Sequence, residues 1–270
     1  MQKTRKTLGL ALGSGGVKGF FHLGVLKTFT KHGIPIDYIA GASIGAWIGS
    51  HYAMFQDVAK LEELTFGKKK EKFFVFLEPV LGGGFVKGDK LEKLIDEWLS
   101  HANFSDTKIP FTAVATDLNS GEGVIFNKGK LAPAVRASMS IPSVFKPMEY
   151  NGKFLVDGGL VDPVPDDLVK KMGADIVVAV NLDSYHPRAQ FNSKNLSLYK
   201  ITTQSFDIVR SRLAEYSIND ADVVIELKTC TRGLSSWRQY FTGDKMGQEL
   251  VRLGEIETEK HISKIKNLLK

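Results

Sequence analysis

The chain has 270 residues, 43% of them hydrophobic and 24% charged, so it can bury a sizeable core and has the composition of an ordinary globular protein. Its formal charge of +6 favours an anionic partner, but no helix-turn-helix, zinc-finger or RRM pattern is present, so nucleic acid is not expected to bind. A single cysteine, Cys230, excludes an intramolecular disulfide, and no apolar run approaches the roughly 18 residues of a membrane span.

The first predicted element is a strand at residues 7–12, whose nearly continuous apolar pattern is typical of a parallel strand buried on both faces. The basic residues before it resemble the start of a signal peptide, but the apolar run is short and ends in glycines. We therefore expect a mature N-terminus and a cytoplasmic protein, with peripheral membrane association left open. A glycine-rich loop at 13–19 follows, and then an apolar helix from Phe20 to about Lys31.

The glycine-rich loop suggests that backbone N–H groups hold something anionic. A P-loop is excluded because Lys18 is followed by Gly19 rather than by Ser or Thr. The dinucleotide fingerprint G-x-G-x-x-G fails from Gly13, because its last position is Lys18, and it fails one residue later, because its first position is Ser14. The loop better suits a serine esterase, which needs N–H donors aimed at an oxyanion.

The second glycine motif is G-x-S-x-G at residues 41–45, between an apolar stretch and a run predicted to be helical. Strand, G-x-S-x-G and helix form the pattern of a nucleophile elbow, in which Gly41 and Gly45 avoid collisions at a sharp turn. Ser43 then lies at a helix N-terminus, where the dipole favours negative charge. One right-handed crossover separates the two glycine motifs, so both are expected at the same sheet edge.

The remaining elements predict one α/β domain over residues 1–270, with a largely parallel central sheet flanked by helices. Residues 50–101 read as mainly helical, interrupted by a glycine loop that could cover or admit a substrate. Further strands are predicted at 109–116, 122–126, 154–156, 175–180 and 222–227, and helices at 132–138, 196–218 and 243–270. The motif-bearing core spans about residues 7–183, and residues 184–270 add helices and the last strand.

A lysine-aromatic segment lies inside the helical region. Lysines alternate with aromatic and aliphatic side chains there, which predicts either a peripheral contact with an anionic membrane surface or a solvated charge run before a core element. The residues proposed for the membrane contact are Lys68, Lys69, Lys70, Lys72, Phe73 and Phe74.

A serine nucleophile needs an adjacent base, and the histidines are poor candidates. Only His186 and His261 follow the Asp-Gly turn at Asp157, where an α/β-hydrolase places its histidine. His261 lies in a Lys/Glu-rich helix and is expected at the surface, whereas His186, in a polar loop, remains a candidate for the base. His22 and His51 lie in or beside apolar helices and are expected to be packed or hydrogen-bonded in the core.

Four separated stretches together resemble the patatin-like phospholipases, in particular their compact bacterial members. They are the glycine loop with its helix (13–26), the G-x-S-x-G motif (41–45), the stretch 136–142 and the Asp-Gly-Gly element (156–159). The resemblance covers at least residues 8–165 and extends more weakly to the C-terminus. It implies a three-layer α/β/α fold.

The resemblance also implies a Ser-Asp dyad, with Ser43 as the nucleophile and Asp157 as the base in place of a histidine. The N–H groups of Gly15, Gly16 and Val17 would hold the oxyanion, and no metal or organic cofactor is needed. The motif positions that support them are Gly13, Lys18, Gly19, Gly41, Gly45, Gly158 and Gly159. The implied reaction is hydrolysis of fatty-acyl esters of phospholipids, lysophospholipids or related lipids. Two alternative functions remain: an acyltransferase that uses the same dyad to pass the acyl group to an alcohol, and a lipid-binding regulatory protein whose dyad is vestigial.

Two positions depart from the family pattern. Ser14 stands where the family usually has glycine, which changes the flexibility of the loop. Asp162 stands before Pro163 where the family often has asparagine. A carboxylate there either raises the pKa of Asp157 by like-charge repulsion or faces solvent.

Overall fold

The computed structural model describes residues 5–75, 77–80, 84–184, 197–228 and 244–270. Its strands belong to one sheet. They are β1 (Leu8–Leu12), β2 (Tyr38–Ala42), β3 (Phe111–Asp117), β4 (Gly123–Phe126), β5 (Met148–Tyr150), β6 (Lys153–Asp157), β7 (Ile176–Asn181) and β8 (Val223–Glu226).

The order of the strands across the sheet is β5-β6-β3-β2-β1-β7-β8, with β4 paired to β3 as well. The five strands β3, β2, β1, β7 and β8 run parallel, whereas the pairs β3–β4, β3–β6 and β5–β6 are antiparallel. β1 and β2 are neighbours, with Leu12 opposite Gly41, so the two glycine motifs do follow adjacent strands. The predicted α/β fold is confirmed, and its sheet is mixed because hairpins form one edge.

Helices cover both faces of this sheet and create two core regions. The helices are α1 (Phe20–Lys31), α2 (Ile44–Phe55), α3 (Val58–Phe66), α4 (Lys69–Val75), α5 (Asp89–Trp98), α6 (Leu131–Ser138), α7 (Asp166–Lys171), α8 (Leu198–Tyr216), α9 (Asp244–Glu259) and α10 (Ile262–Leu268). On one face, Leu10 and Leu12 of β1 pack with side chains of α1 and α2, among others. On the other, Ala11 packs with side chains of α7 and α8. Alternate residues of a buried strand thus serve opposite layers.

The C-terminal region differs from the prediction of one terminal helix. α9 and α10 are separated at Lys260 and His261, where the His261 N–H donates to the carbonyl of Thr258 at 2.9 Å. α9 packs closely on α1, since a Cβ on Gly24 would lie 2.1 Å from the carbonyl oxygen of Val251. Among the helices of the described ranges, none combines the length and the apolar character needed to cross a bilayer.

Candidate active site

Ser43 lies on a sharp turn between β2 and α2. Its backbone has φ 54° and ψ −121°, a conformation that costs a non-glycine residue on the order of 1–3 kcal/mol. Neighbouring glycines make this turn possible, because a Cβ on Gly45 would lie 1.9 Å from the carbonyl oxygen of Leu12. A Cβ on Gly41 would lie 2.5 Å from the carbonyl of Gly45. The G-x-S-x-G spacing therefore reflects close backbone packing around Ser43.

The Ser43 hydroxyl donates to Asp157 at the far end of β6. The distance from Ser43 Oγ to Asp157 Oδ2 is 2.5 Å, and both residues are buried. The second carboxylate oxygen, Oδ1, accepts the N–H of Gly159 at 2.8 Å, which fixes the orientation of the carboxylate. The structure thus brings together the two residues that the resemblance pairs.

Burial raises the pKa of Asp157 from its ordinary 3.8 to about 6. The hydrogen bonds from Ser43 and from the N–H of Gly159 oppose this effect. Arg210 also lowers the pKa through its charge, whereas the carboxylate of Asp183 raises it. A carboxylate with a pKa near 6 is still ionised at neutral pH and is a stronger base than a free aspartate.

The third stretch of the resemblance, 136–142, holds both of these residues by their backbones. Ser138 Oγ accepts the N–H of Ser43 at 2.8 Å, and the carbonyl of Ser140 accepts the N–H of Asp157 at 3.0 Å. The buried guanidinium of Arg136 donates to Ser140 Oγ and to the carbonyl oxygens of Gly88, Lys87 and Lys146. Arg136 therefore ties this stretch to the segment before α5.

The glycine loop packs directly against the elbow. A Cβ on Gly19 would lie 2.1 Å from Cγ1 of Ile44, and one on Gly159 would lie 2.6 Å from Ser14 Oγ. The loop leads into a short 3-10 helix, Gly16–Gly19, in which Gly16 has φ 57°. Within the described ranges, the N–H groups of Gly15, Gly16 and Val17 donate no hydrogen bond, as expected at a helix start.

The described histidines form no hydrogen bond with Ser43 or Asp157. His22 is buried, and its Nε2 lies 2.8 Å from the carbonyl oxygen of Gly13; burial lowers its pKa to about 4, so the neutral ring donates to that carbonyl. His51 is also buried, with its ring 4.8 Å from that of Phe55. Both are core histidines, as predicted. His261 is partly buried at the start of α10, and His186 lies outside the described residues.

Asp183, just after β7, is a functional candidate that sequence reasoning missed. Its buried carboxylate accepts hydrogen bonds from Ser14, Lys18 and Arg210. Its position at the carboxyl end of a buried strand was the one available signal. Ser138 was included in the resemblance without a role of its own. Arg210 belongs to no sequence motif that would indicate a functional role.

Asp162 behaves differently from either expectation. It is partly buried, and burial together with Asp167 and Asp166 raises its pKa to about 7. The like charge that acts on Asp157 comes from Asp183 instead. In the part of the chain that the structure describes, no group of three or more His, Cys, Asp or Glu side chains is arranged to hold a metal ion.

The lysine-aromatic segment forms α4 and its flanks. Phe74 is 61% exposed, and exposed Lys68 forms an ion pair of 3.1 Å with Glu71. The prediction that Lys72 faces a membrane is wrong, because this residue is buried and its Nζ donates to the carbonyl of Thr65 at 2.6 Å. The side chains of Lys69, Lys70 and Phe73 lie outside the described residues.

Comparisons with known proteins identify relatives of this chain. An uncharacterized NTE family protein of Mycobacterium tuberculosis is 36% identical over 178 residues, which cover 64% of this chain and 48% of the relative. Lysophospholipase NTE1 of Meyerozyma guilliermondii is 30% identical over 220 residues, covering 79% of this chain and 15% of the relative. Human patatin-like phospholipase domain-containing protein 6 is 31% identical over 188 residues, covering 67% and 14%. The chain thus spans about half or less of each relative.

A solved structure and a family model were compared as well. The crystal structure of VipD from Legionella pneumophila superimposes with a TM-score of 0.64 at 14% identity, covering 97% of this chain and 67% of that one, which supports the fold alone. The family model described as patatin-like phospholipase matches residues 10–169, which include Ser43, Asp157 and the glycine loop. This chain belongs to the patatin-like phospholipase family.

Proposed function

We propose that this protein is a serine lipid acyl hydrolase that cleaves fatty-acyl esters of phospholipids, lysophospholipids or related lipids. The observation that carries the proposal is the 2.5 Å hydrogen bond between Ser43 Oγ and Asp157 Oδ2 on a strained elbow. Membership of the patatin-like family supports a lipid substrate, and one fungal relative is named a lysophospholipase.

The proposed reaction has two acyl-transfer steps. Asp157 accepts the proton of Ser43 as Oγ attacks the ester carbonyl, and it then gives this proton to the leaving alkoxide, which departs as an alcohol. Water, deprotonated by Asp157, attacks the acyl-serine, and the proton returns to Ser43 as the fatty acid leaves. Both steps pass through a tetrahedral oxyanion.

The N–H groups of Gly15, Gly16 and Val17 are the proposed donors to that oxyanion. Two observations support this: they donate no hydrogen bond within the described ranges, and their loop packs on Ile44, the residue after the nucleophile. Each such donor contributes roughly 3–4 kcal/mol to transition-state stabilisation in other serine hydrolases. The α2 N-terminus adds a favourable dipole.

The direct test is to incubate the purified protein with lysophosphatidylcholine and to measure free fatty acid. A fluorophosphonate probe should also label Ser43, because its phosphorus is attacked by an activated serine. A protein that is neither labelled nor active on acyl esters would contradict the proposal and favour a lipid-binding role. Acyl-glycerol formed in the presence of glycerol, in place of fatty acid, would indicate a transferase.

The pKa of Asp157 predicts the pH dependence of hydrolysis. The carboxylate must be ionised to accept the serine proton, so kcat/KM should rise with pH through a midpoint near 6 and level off above it. The profile is measured with an ester that does not itself titrate, from about pH 5 to about pH 8. A flat profile over this range would contradict a base with the pKa of Asp157.

We also propose that α4 and its flanks contact anionic membranes. Three apolar side chains in this region are exposed, namely Phe74, Leu77 and Phe85, and the ammonium group of exposed Lys90 lies 6.0 Å from the centre of the Phe74 ring. The net charge of +6 acts in the same direction.

Binding to lipid vesicles tests this surface. The protein should bind vesicles that contain phosphatidylglycerol more tightly than phosphatidylcholine vesicles, and added salt should weaken this binding. Phe74→Ala should lower the affinity about tenfold, because a partly inserted ring is lost. The control is Ile125→Ala, which removes a similarly exposed apolar side chain from β4. Equal binding to both kinds of vesicle, or equal loss in both variants, would contradict the proposal.

A further inference from the structure

A buried carboxylate links three separate elements beside the catalytic dyad. Asp183 is 6% exposed, and its Oδ2 accepts the hydroxyl of Ser14 at 2.8 Å. Its Oδ1 accepts Lys18 Nζ at 2.7 Å and also accepts Nη2 of Arg210 on α8. The Asp183 N–H donates to Asn181 Oδ1 at 2.8 Å, which fixes the residue just beyond β7.

The contacts of Asp183 enclose the proposed oxyanion segment. Ser14 and Lys18 flank residues 15–17, so both ends of this segment are bound to one carboxylate. Lys18 Nζ also donates to the carbonyl of Leu182. Gly15 packs against the side chain of the same residue, because a Cβ on Gly15 would lie 2.8 Å from Cβ of Leu182. The position of the segment is therefore set from the β7 side.

Arg210 is what makes a buried carboxylate stable at this position. Burial alone would raise the pKa of Asp183, but attraction to Arg210 and Lys18 outweighs burial and holds its pKa below the ordinary value. The same attraction raises the pKa of Arg210. Removing one partner of such a buried pair leaves an uncompensated charge, which disturbs the groups around it.

We propose that Arg210 and Asp183 are positioning residues for acyl-ester hydrolysis, in which Arg210 holds the Asp183 carboxylate and Asp183 holds both ends of the oxyanion segment. This role rests on the proposed function, because it concerns the geometry of that reaction. In this role, neither residue contacts the substrate.

The two residues also shift the pKa of Asp157 in opposite directions. The charged groups that act most strongly on Asp157 are Arg210, from α8, and Asp183, from the segment after β7. Arg210 lowers the pKa of Asp157, and Asp183 raises it. Loss of packing alone would not shift a pH profile in opposite directions in two variants.

The test measures kcat and the pH profile of kcat/KM with a chromogenic fatty-acyl ester. We expect Arg210→Gln to lower kcat about 10- to 100-fold and to move the midpoint to higher pH. Asp183→Asn should lower kcat similarly and move the midpoint to lower pH. Arg210→Lys keeps the charge, so it should restore the wild-type midpoint and part of kcat. The matched control is Arg212→Gln, which removes an exposed arginine from the same helix and should change neither quantity.

Wild-type kcat in Arg210→Gln or Asp183→Asn, or midpoints that move in the same direction, would overturn the proposal. If a charge variant fails to fold, Ser14→Ala removes only one neutral link and should lower kcat about fivefold at an unchanged midpoint; wild-type kcat in Ser14→Ala would then overturn it. A wild-type protein that neither hydrolyses the ester nor reacts with a fluorophosphonate would instead overturn the proposed function, and this role with it.

Discussion

Replacing Ser43 by alanine is expected to lower the rate of acyl-ester hydrolysis by at least about 10⁴-fold, because the variant lacks the nucleophile and cannot form an acyl-enzyme. The fold should survive, since Ser43 contributes one side-chain hydrogen bond, to Asp157, and its backbone N–H can still donate to Ser138. Hydrolysis of lysophosphatidylcholine and labelling by a fluorophosphonate probe both measure this loss.

Ser50→Ala is the matched control for Ser43→Ala. Ser50 is a buried serine within α2, and its hydroxyl donates to the carbonyl of Trp47 rather than to a residue of the dyad. Its variant should keep hydrolysis within a few-fold of wild type and should still be labelled. Labelling that persists in Ser43→Ala would place the nucleophile elsewhere, and activity that persists would exclude the proposed mechanism.

The parts of the fold that were predictable are those with strong local constraints. β1 and β7 are buried on both faces, so their sequences are nearly continuous apolar runs. The elbow was predictable because only glycine fits at position 45, against the backbone of Leu12, and at position 41, against the backbone of Gly45. β5 was missed because it is only three residues long and not buried, although the Asn151-Gly152 turn after it, with both φ angles positive, is a hairpin signal.

Contacts between distant residues explain what the sequence could not show. Arg210 meets Asp183 from 27 residues away, and Lys18 meets it from 165 residues away, so no local pattern marks this cluster. Lys72 was wrongly assigned to a surface because a charge pattern does not reveal which face of a short helix packs inward. Its stem is buried, and its ammonium group reaches a carbonyl near the end of α3.

The dyad itself could be paired only through the family resemblance. Ser43 and Asp157 are 114 residues apart, and an Asp-Gly turn alone is a common feature of loops. The structure supplies what the motifs lack: a distance, an orienting N–H from Gly159, and the buried environment that changes the pKa of the carboxylate.

Asp157→Asn should lower kcat roughly 10³- to 10⁴-fold, because an amide of the same shape keeps the contact with Ser43 but cannot accept its proton. Hydrolysis of a chromogenic fatty-acyl ester over a range of pH measures this loss. Asp162→Asn is the control, since Asp162 is another carboxyl whose pKa is raised, to about 7, and its side chain forms a hydrogen bond with Ser217. That variant should retain activity. Similar losses in both variants would contradict a specific role for Asp157 as the base.

The same substitution should stabilise the protein at neutral and alkaline pH. The folded-state pKa of Asp157, about 6, exceeds its ordinary 3.8, so the folded state binds this proton more tightly than the unfolded state and loses stability as pH rises through that interval. Above this pH interval, the ionised carboxylate lowers the free energy of unfolding by up to about 3 kcal/mol, and Asp157→Asn removes this destabilisation. Thermal unfolding should therefore show a higher Tm than wild type near pH 8, with a smaller difference near pH 4. A less stable variant at pH 8 would show that the carboxylate contributes to folding, whereas a more stable but inactive one would show that its burial serves catalysis.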